Sequence, residues 1–412
     1  MFMTTMINEN NKHSWCVNAY HALSANNDGS TKTCCMIGEE YNKLSKTSNE
    51  YYIGVKSIKE NFDCDAAQNL RDNLSRGIKD NSCRLCWQEE EGGRKSKRLR
   101  DNEKYLHAIE FDGQAPFTGL AKVELNLGNN CNIKCRTCHP TISSTWMKEA
   151  FDLDHAPRGT TYKTFSVGMK KYHQHYDDDS SFWPDLIENL ETIKQFDFYG
   201  GEPFLSKKMW EILRICVERG YAKDIELHYN TNGTVWPKDI ELWKHFRSVN
   251  ISFSIDGIGE RFEYMRYPAN WQEVRANMKK AVDFNIEHNN LSLSWCMTLS
   301  SLNIYYLPEL LDEYYKNWTS MGFYLNLVHN PNHFNISKMS PEAKQAALEQ
   351  LNSIPKEYEN AWYQLPGIIG FMMAGEYDPT TWNYMLKTID KHDKYREQDY
   401  AKTFSDFSKA IR

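Results

Sequence analysis

Six short apolar runs recur along the middle of the chain, at 123–127, 196–199, 225–229, 249–255, 291–297 and 323–328. Their length and β-branched or aromatic content mark them as strands. Between them lie segments of helical period. Trp210, Leu213, Ile215 and Val217 mark one, and Val274, Met278, Ala281 and Val282 mark another at i, i+4, i+7, i+8. Strands joined by helices assemble as right-handed βαβ units about a parallel sheet. The alternation therefore predicts an α/β fold that closes as a partial barrel.

The rest of the chain is organised around this core. Residues 1–12 read as a flexible polar tail, 13–102 as a cysteine-bearing segment and 336–412 as a helical extension with a helix start at Pro341. The core spans 119–335 and carries an insert at 154–181, read as a loop or lid, with His173, His175 and Asp177 to Asp179. The His173-x-His175 pair is read as part of a solvated loop rather than a metal site. The charged stretch 89–98 reads as a surface loop or helix start, and the basic run from Arg94 to Arg100 as a solvated face.

Hydrophobic residues make up 41% of the 412, enough to bury a large core, and the net charge of −6 gives no general argument for nucleic-acid or membrane binding. No apolar run approaches the roughly 18 residues of a membrane span, and the first dozen residues lack the apolar stretch of a secretory signal. The expectation is a cytoplasmic protein. Eleven cysteines there are poor disulfide candidates. Six fall in the first 86 residues and three more between 131 and 138, the clustering expected of metal ligands. Cys216 and Cys296 stand alone and read as small core residues.

The run 123–127 leads into Cys131-Asn132-Ile133-Lys134-Cys135-Arg136-Thr137-Cys138, a C-x3-C-x2-C spacing on a loop directly after a strand. Three thiolates can hold three irons of a cubane and leave the fourth open, as a catalytic cluster needs. A zinc site using these three and a distant ligand fits the same spacing. Three further motifs follow later strands: Gly200-Gly201-Glu202-Pro203, Thr231-Asn232-Gly233 and Ser254-Ile255-Asp256-Gly257, with Arg266 downstream. Alone, each is only a turn signal.

In this order the four motifs resemble the radical S-adenosylmethionine (SAM) superfamily, over about residues 119–335. The resemblance implies a partial (β/α)6 TIM-like barrel whose 4Fe–4S cluster is held by Cys131, Cys135 and Cys138. It implies that Gly200, Gly201, Glu202 and Pro203 receive the methionine amino group of SAM, and that Asn232, Ser254, Asp256 and Arg266 neighbour its ribose and carboxylate. Thr137 departs from the family, which usually has an apolar or aromatic residue there, and a packing contact to adenine is thereby weakened.

The N-terminal segment carries Cys16 after an aromatic residue, a turn at Asp28-Gly29, Cys34-Cys35, Cys64, and Cys83-x2-Cys86 followed by Trp87. It resembles the twitch or SPASM auxiliary-cluster modules of radical SAM enzymes, moved to the N-terminus, over about residues 13–100. That resemblance implies a second 4Fe–4S cluster on Cys16, Cys34, Cys83 and Cys86, with zinc as the rival. Adjacent strand residues face opposite ways, so only one of Cys34 and Cys35 should bind; the offset from Gly29 favours Cys34, and Cys64 is the spare.

The function implied is reductive cleavage of SAM to a 5′-deoxyadenosyl radical that abstracts hydrogen from a substrate. A peptide or protein is the first expectation, and a small sugar, nucleotide or cofactor precursor the second. An external one-electron reductant such as flavodoxin or ferredoxin is the expected partner. The competing class is a non-catalytic iron–sulfur or zinc binding module on a degenerate barrel.

Overall fold

All six apolar runs form strands, and two short N-terminal strands join them. The computed structural model describes residues 9–37, 52–91, 95–105, 119–153 and 158–411. Residues 1–8 of the expected tail, 92–94 of the charged stretch, 154–157 of the insert and Arg412 lie outside the described residues. The strands are β1 (Ala22–Ala25), β2 (Thr31–Lys32), β3 (Lys122–Asn126), β4 (Gln195–Tyr199), β5 (Glu226–Thr231), β6 (Ser248–Ser254), β7 (Leu291–Leu299) and β8 (Gly322–Leu327). They form one eight-stranded sheet in the order β2-β1-β3-β4-β5-β6-β7-β8. β1 pairs parallel with β3, β3 with β4, β4 with β5 and β7 with β8, and β1 and β2 form an antiparallel hairpin. This is the α/β architecture of a partial TIM-like barrel.

The chain divides into two compact units, one of Met1–Asn130, Val167–Tyr229 and Asp239–Val249, the other of Cys131–Ser166, Asn230–Lys238 and Asn250–Arg412. In the first unit, Val123, Leu125, Phe196 and Phe198 bury one face of β3 and β4. The helix Lys207–Glu218 starts where the Ser206 hydroxyl accepts the Met209 N–H, and it buries Met209, Trp210, Ile212, Leu213 and Cys216. Trp243 is fully buried, with its ring centroid 5.7 Å from Phe204, 5.9 Å from Trp210 and 5.9 Å from Tyr229. The opposite face of the same strands is polar: Lys122 and Glu124 on β3, Gln195 and Asp197 on β4.

At the other edge of this unit, Asp28 and Gly29 turn β1 into β2, with Gly29 at φ +82°. A Cβ there would stand 2.6 Å from the His175 Cβ, so glycine is also required by close approach. The His173-x-His175 pair is therefore not a solvated loop. His173 is buried and its Nδ1 lies 2.8 Å from the Asn27 carbonyl, while the Tyr176 hydroxyl donates to the Asn26 carbonyl at 2.9 Å. The insert contains a helix, Tyr162–Tyr172, before this contact. The basic run is only partly a solvated face: Lys95 and Arg100 are exposed, but Lys97 and Arg98 turn inward at the start of the helix Lys97–Tyr105.

In the second unit the 336–412 extension is helical, with Pro341–Asn352, Glu359–Ala374 and Pro379–Arg396 as its main helices. Ser340 and Asp378 cap the first and third, each followed by proline at the first helical position. No described helix is long and apolar enough to cross a membrane.

Trp243→Ala should cost about 3–5 kcal/mol by removing the centre of the first unit's aromatic core. Urea unfolding followed by circular dichroism measures it, and a change within 1 kcal/mol, roughly the surface range, would show that the core closes over the gap.

Candidate functional site

Each of the four motifs stands at the C-terminal end of a strand: the cysteine loop after β3, Gly200 after β4, Asn232 after β5 and Asp256 after β6. That is the end of a strand–helix barrel where loops carry chemistry.

In the second unit the loop is pinned on both sides of its middle cysteine. The Lys134 N–H donates to the Tyr267 carbonyl at 2.7 Å and the Arg136 N–H to the Met265 carbonyl at 2.8 Å. The segment that accepts these bonds carries Arg266, so its guanidinium is brought to the sulfurs, with Nη1 3.8 Å from Cys135 Sγ. Its Nη2 pairs with Asp256 at 2.6 Å, and Asp256 also accepts the Thr298 N–H at 3.0 Å. The Arg266 Nε is buried and has no hydrogen-bond partner among the described residues. Asn232 reaches the first cysteine, its Nδ2 3.8 Å from Cys131 Sγ and 3.0 Å from Asn132 Oδ1. Ser254 closes β6, two residues before Asp256.

A hydrogen bond from Cys138, aided by the Arg266 guanidinium, holds Cys135 well below an ordinary thiol, while the same bond and burial raise Cys138. A loop in which one of three cysteines ionises more readily than an ordinary thiol suits uptake of a metal group.

Side chains between the cysteines hold the loop from behind. Arg136 is fully buried, bonds Asp393 at 2.6 Å and Gln398 at 2.9 Å, and lies 3.9 Å from the Tyr264 ring centroid. Lys134 pairs with Glu149 at 2.8 Å, and Glu149 pairs with Arg396 at 2.8 Å. The Trp146 Nε1 donates to the Cys135 carbonyl at 3.0 Å. None of Arg136, Glu149, Asp393 and Arg396 stood out in the sequence, because nothing local marks a charge as buried.

In the first unit, Gly200 (φ +74°) and Gly201 (φ +46°) pass beneath the start of the cysteine loop. A Cβ on Gly201 would lie 2.4 Å from the Asn130 carbonyl oxygen, and one on Gly200 2.9 Å from Leu127 N. The Glu202 N–H donates to that Asn130 oxygen at 2.8 Å, one residue before Cys131, and the buried Glu202 carboxylate accepts the Phe204 N–H at 3.2 Å. Pro203 starts the turn Pro203–Leu205.

The same unit contains a small cavity of about 20 Å³ lined by Cys16, Cys34, Cys83 and Cys86 together with Leu70, Leu74 and Arg98. Cys34 and Cys35 lie in a turn after β2 rather than on a strand, and their sulfurs stand within 4.8 Å of each other rather than on opposite faces. Cys34 lines the cavity, whereas Cys35 donates its backbone N–H to Glu124 at 3.0 Å. Cys64 stands at the start of the helix Asp65–Ser75 in a small cluster with Ala67. Burial pushes Cys16 and Cys83 up to about 12 and raises Cys86.

Residues 125–317 match the family model described as the radical SAM superfamily. No protein of curated function matches the chain. Among solved structures, native anSMEcpe with bound AdoMet is 14% identical, with half of each chain covered and a TM-score of 0.32. Streptococcus suis SuiB bound to precursor peptide SuiA is 11% identical, covering 80% of this chain and 63% of that one, with a TM-score of 0.31. SuiB bound to S-adenosylmethionine is 12% identical over 64% of each chain, TM-score 0.28. The chain spans half of the first of these proteins and under two thirds of SuiB.

Asp393→Ala leaves Arg136 as a buried unpaired charge and should cost about 3–5 kcal/mol. It should also lower the iron retained by the Cys131 loop after anaerobic reconstitution; stability and iron content both unchanged would show that the extension does not support the loop. The buried thiols set a pH limit. An unfolded thiol ionises above its ordinary 9.0 while Cys16 does so only near 12, so metal-free protein loses stability as the pH rises from 9 towards 12. Comparing urea midpoints at two pH values for wild type and Cys16→Ala checks this, the variant showing the smaller drop.

Proposed function

We propose that this chain, whose residues 125–317 match the radical SAM superfamily, is an enzyme that cleaves SAM reductively on a 4Fe–4S cluster held by Cys131, Cys135 and Cys138. The observation that carries this reading is the loop itself: a low thiol at Cys135, set between two anchored backbone N–H groups, with Arg266 3.8 Å from its sulfur. Three cysteine ligands leave one iron open for SAM. When bound, the cluster supplies a low-potential electron to the SAM sulfonium, giving methionine and a 5′-deoxyadenosyl radical that removes hydrogen from the substrate.

This chain's residues supply binding and orientation. Arg266, half satisfied by Asp256 and with Nε unpartnered, offers charge-assisted donors to the methionine carboxylate. Glu202 and the open backbone at Gly200 and Gly201 suit the methionine ammonium. Asn232 and Ser254, at the ends of β5 and β6, are assigned to the ribose side.

Cys16, Cys34, Cys83 and Cys86 are assigned to a second 4Fe–4S cluster. One observation favours it over zinc. A zinc ion with bonds of about 2.3 Å gathers its sulfurs tightly, yet among the described residues the one trio of metal-binding atoms within 4.8 Å of one another is Cys34, Cys35 and Glu124. Such an auxiliary cluster could ligate the substrate or take back an electron after hydrogen abstraction. The resemblance to auxiliary-cluster modules favours a peptide or protein substrate, and a flavodoxin or ferredoxin is the proposed reductant.

Anaerobically reconstituted protein reduced with dithionite should release 5′-deoxyadenosine from SAM, and replacing Cys131, Cys135 and Cys138 together with Ala should abolish release. Arg266→Ala should weaken SAM binding about tenfold to a hundredfold with the iron of the loop retained. The triple variant should keep about four irons per chain. Cleavage that survives the triple change would refute the cluster assignment, and one zinc with no iron would refute the second cluster.

A further inference from the structure

Cys296 is buried, yet it does not lie in the apolar layer that its neighbours on β7 form. Trp295, Met297 and Leu299 are fully buried on the side where the helices pack. The Trp295 ring meets those of Trp271, Tyr314 and Trp318 there, with centroids 6.3, 5.6 and 5.8 Å away. Side chains alternate along a strand, so Ser294, Cys296 and Thr298 share the opposite, inner face of the sheet. The β7–β8 register sets Cys296 opposite Tyr324 and Thr298 opposite Asn326. The Asn326 amide donates to Cys296 Sγ at 3.3 Å, the Thr298 hydroxyl lies 3.7 Å from the same sulfur, and the Tyr324 side chain hydrogen-bonds to it as well.

On its other side Cys296 adjoins the residues assigned to SAM. The hydroxyls of Ser252 and Ser294 are 2.9 Å apart, so two residues further along both strands Ser254 stands beside Cys296. The Ile255 N–H donates to the Cys296 carbonyl at 3.0 Å, and Asp256 accepts the Thr298 N–H while pairing with Arg266. Arg266 is 8% exposed and its Nε has no partner among the described residues, a second mark that a ligand completes this face. A thiol ringed by Ser254, Thr298, Tyr324 and Asn326 is not there to fill an apolar core. Its S–H bond is weaker than the C–H bonds of saturated carbon, so a carbon radical formed on this face takes hydrogen from it readily. The O–H and N–H bonds of the serine, threonine and asparagine side chains are too strong to compete, and the phenolic O–H of Tyr324 is the rival donor.

We propose that Cys296 is a catalytic hydrogen donor that returns a hydrogen atom to the substrate radical left by 5′-deoxyadenosyl abstraction. The inference rests on the radical SAM reading of the Cys131 loop. The Cys296 S–H bond breaks as a substrate C–H bond forms, leaving a thiyl radical. One electron from the external reductant and one proton from solvent then restore the thiol. The substrate loses one hydrogen atom and regains one, so the class of reaction is a redox-neutral change at carbon, such as inversion of a stereocentre, rather than a net oxidation. Asn326 and Tyr324 are positioning residues that hold the sulfur.

The test needs no substrate, because the 5′-deoxyadenosyl radical is itself a carbon radical, formed on the ribose side to which Ser254 is assigned. The full chain, reconstituted anaerobically and exchanged into D2O, is reduced with dithionite and given SAM as the only probe. The deuterium content of the 5′-deoxyadenosine is read by mass spectrometry. The expected result is one deuterium per molecule from wild type and loss of that label from Cys296→Ser, with iron per chain and SAM affinity unchanged. Should Cys296→Ser fail to hold iron, Cys296→Ala is read in the same way. Unlabelled product from wild type overturns the donor role without recourse to any variant. Label that persists in the Cys296 variants also overturns it, and its disappearance in Tyr324→Phe would hand the role to the phenol. No 5′-deoxyadenosine at all overturns the radical SAM reading instead, so the two failures are distinct.

Discussion

The parallel pairing of β1 with β3, from Ala22 opposite Lys122 to Ala25 opposite Leu125, is the constraint on which the first unit depends. β1 continues directly from the short helix after Cys16, and β3 runs on towards the loop that begins at Cys131. One register therefore sets where Cys16 lies relative to Lys122 and Glu124. Side chains alternate along a strand, so a slip of one residue would turn both charges into the apolar layer of Val123 and Leu125. The apolar face of β3 and the charged network on its other face enforce the same register, each for its own reason.

Both units use buried charge to hold cysteine-bearing segments, in different ways. In the first, Glu124 accepts from the Cys35 backbone and is balanced by Lys97 and Lys122. In the second, Arg136 and Lys134 occupy positions between the cysteines and point away into Asp393 and Glu149. Breaking one partner of such a pair is costly because the other is left without solvent. Metal-binding loops carry little apolar surface, and ionic and hydrogen-bonded struts supply the rigidity that packing supplies elsewhere.

Much was legible along the chain. The six core strands declared themselves by length and composition, and the turn at Asp28-Gly29 by its dipeptide. Cys34 and Cys35 read as strand neighbours facing opposite ways, but they lie in a turn that brings their sulfurs within 4.8 Å, where the Cys35 N–H finds Glu124. Three readings depended on burial and went differently. Lys97 and Arg98 were indistinguishable from a solvated basic run, His173 from a loop histidine, and β1 was too short to show a period. The polar residues Lys122, Glu124 and Asp197, alternating with apolar ones inside two strands, were the available signal of a charged inner face.

By itself the sequence determined the α/β class, the strand order of the motifs and the three-cysteine spacing of the loop after β3, because these rest on local period, glycine geometry and thiol spacing. The tertiary structure alone decided that β1 joins the sheet beside β3, that the thiols of Cys16, Cys34, Cys83 and Cys86 share one cavity, and that Asp393 and Glu149 hold the cysteine loop. Each of these joins residues far apart in the chain. Whether a charge is solvated or buried depends on such distant partners, which local spacing does not reveal.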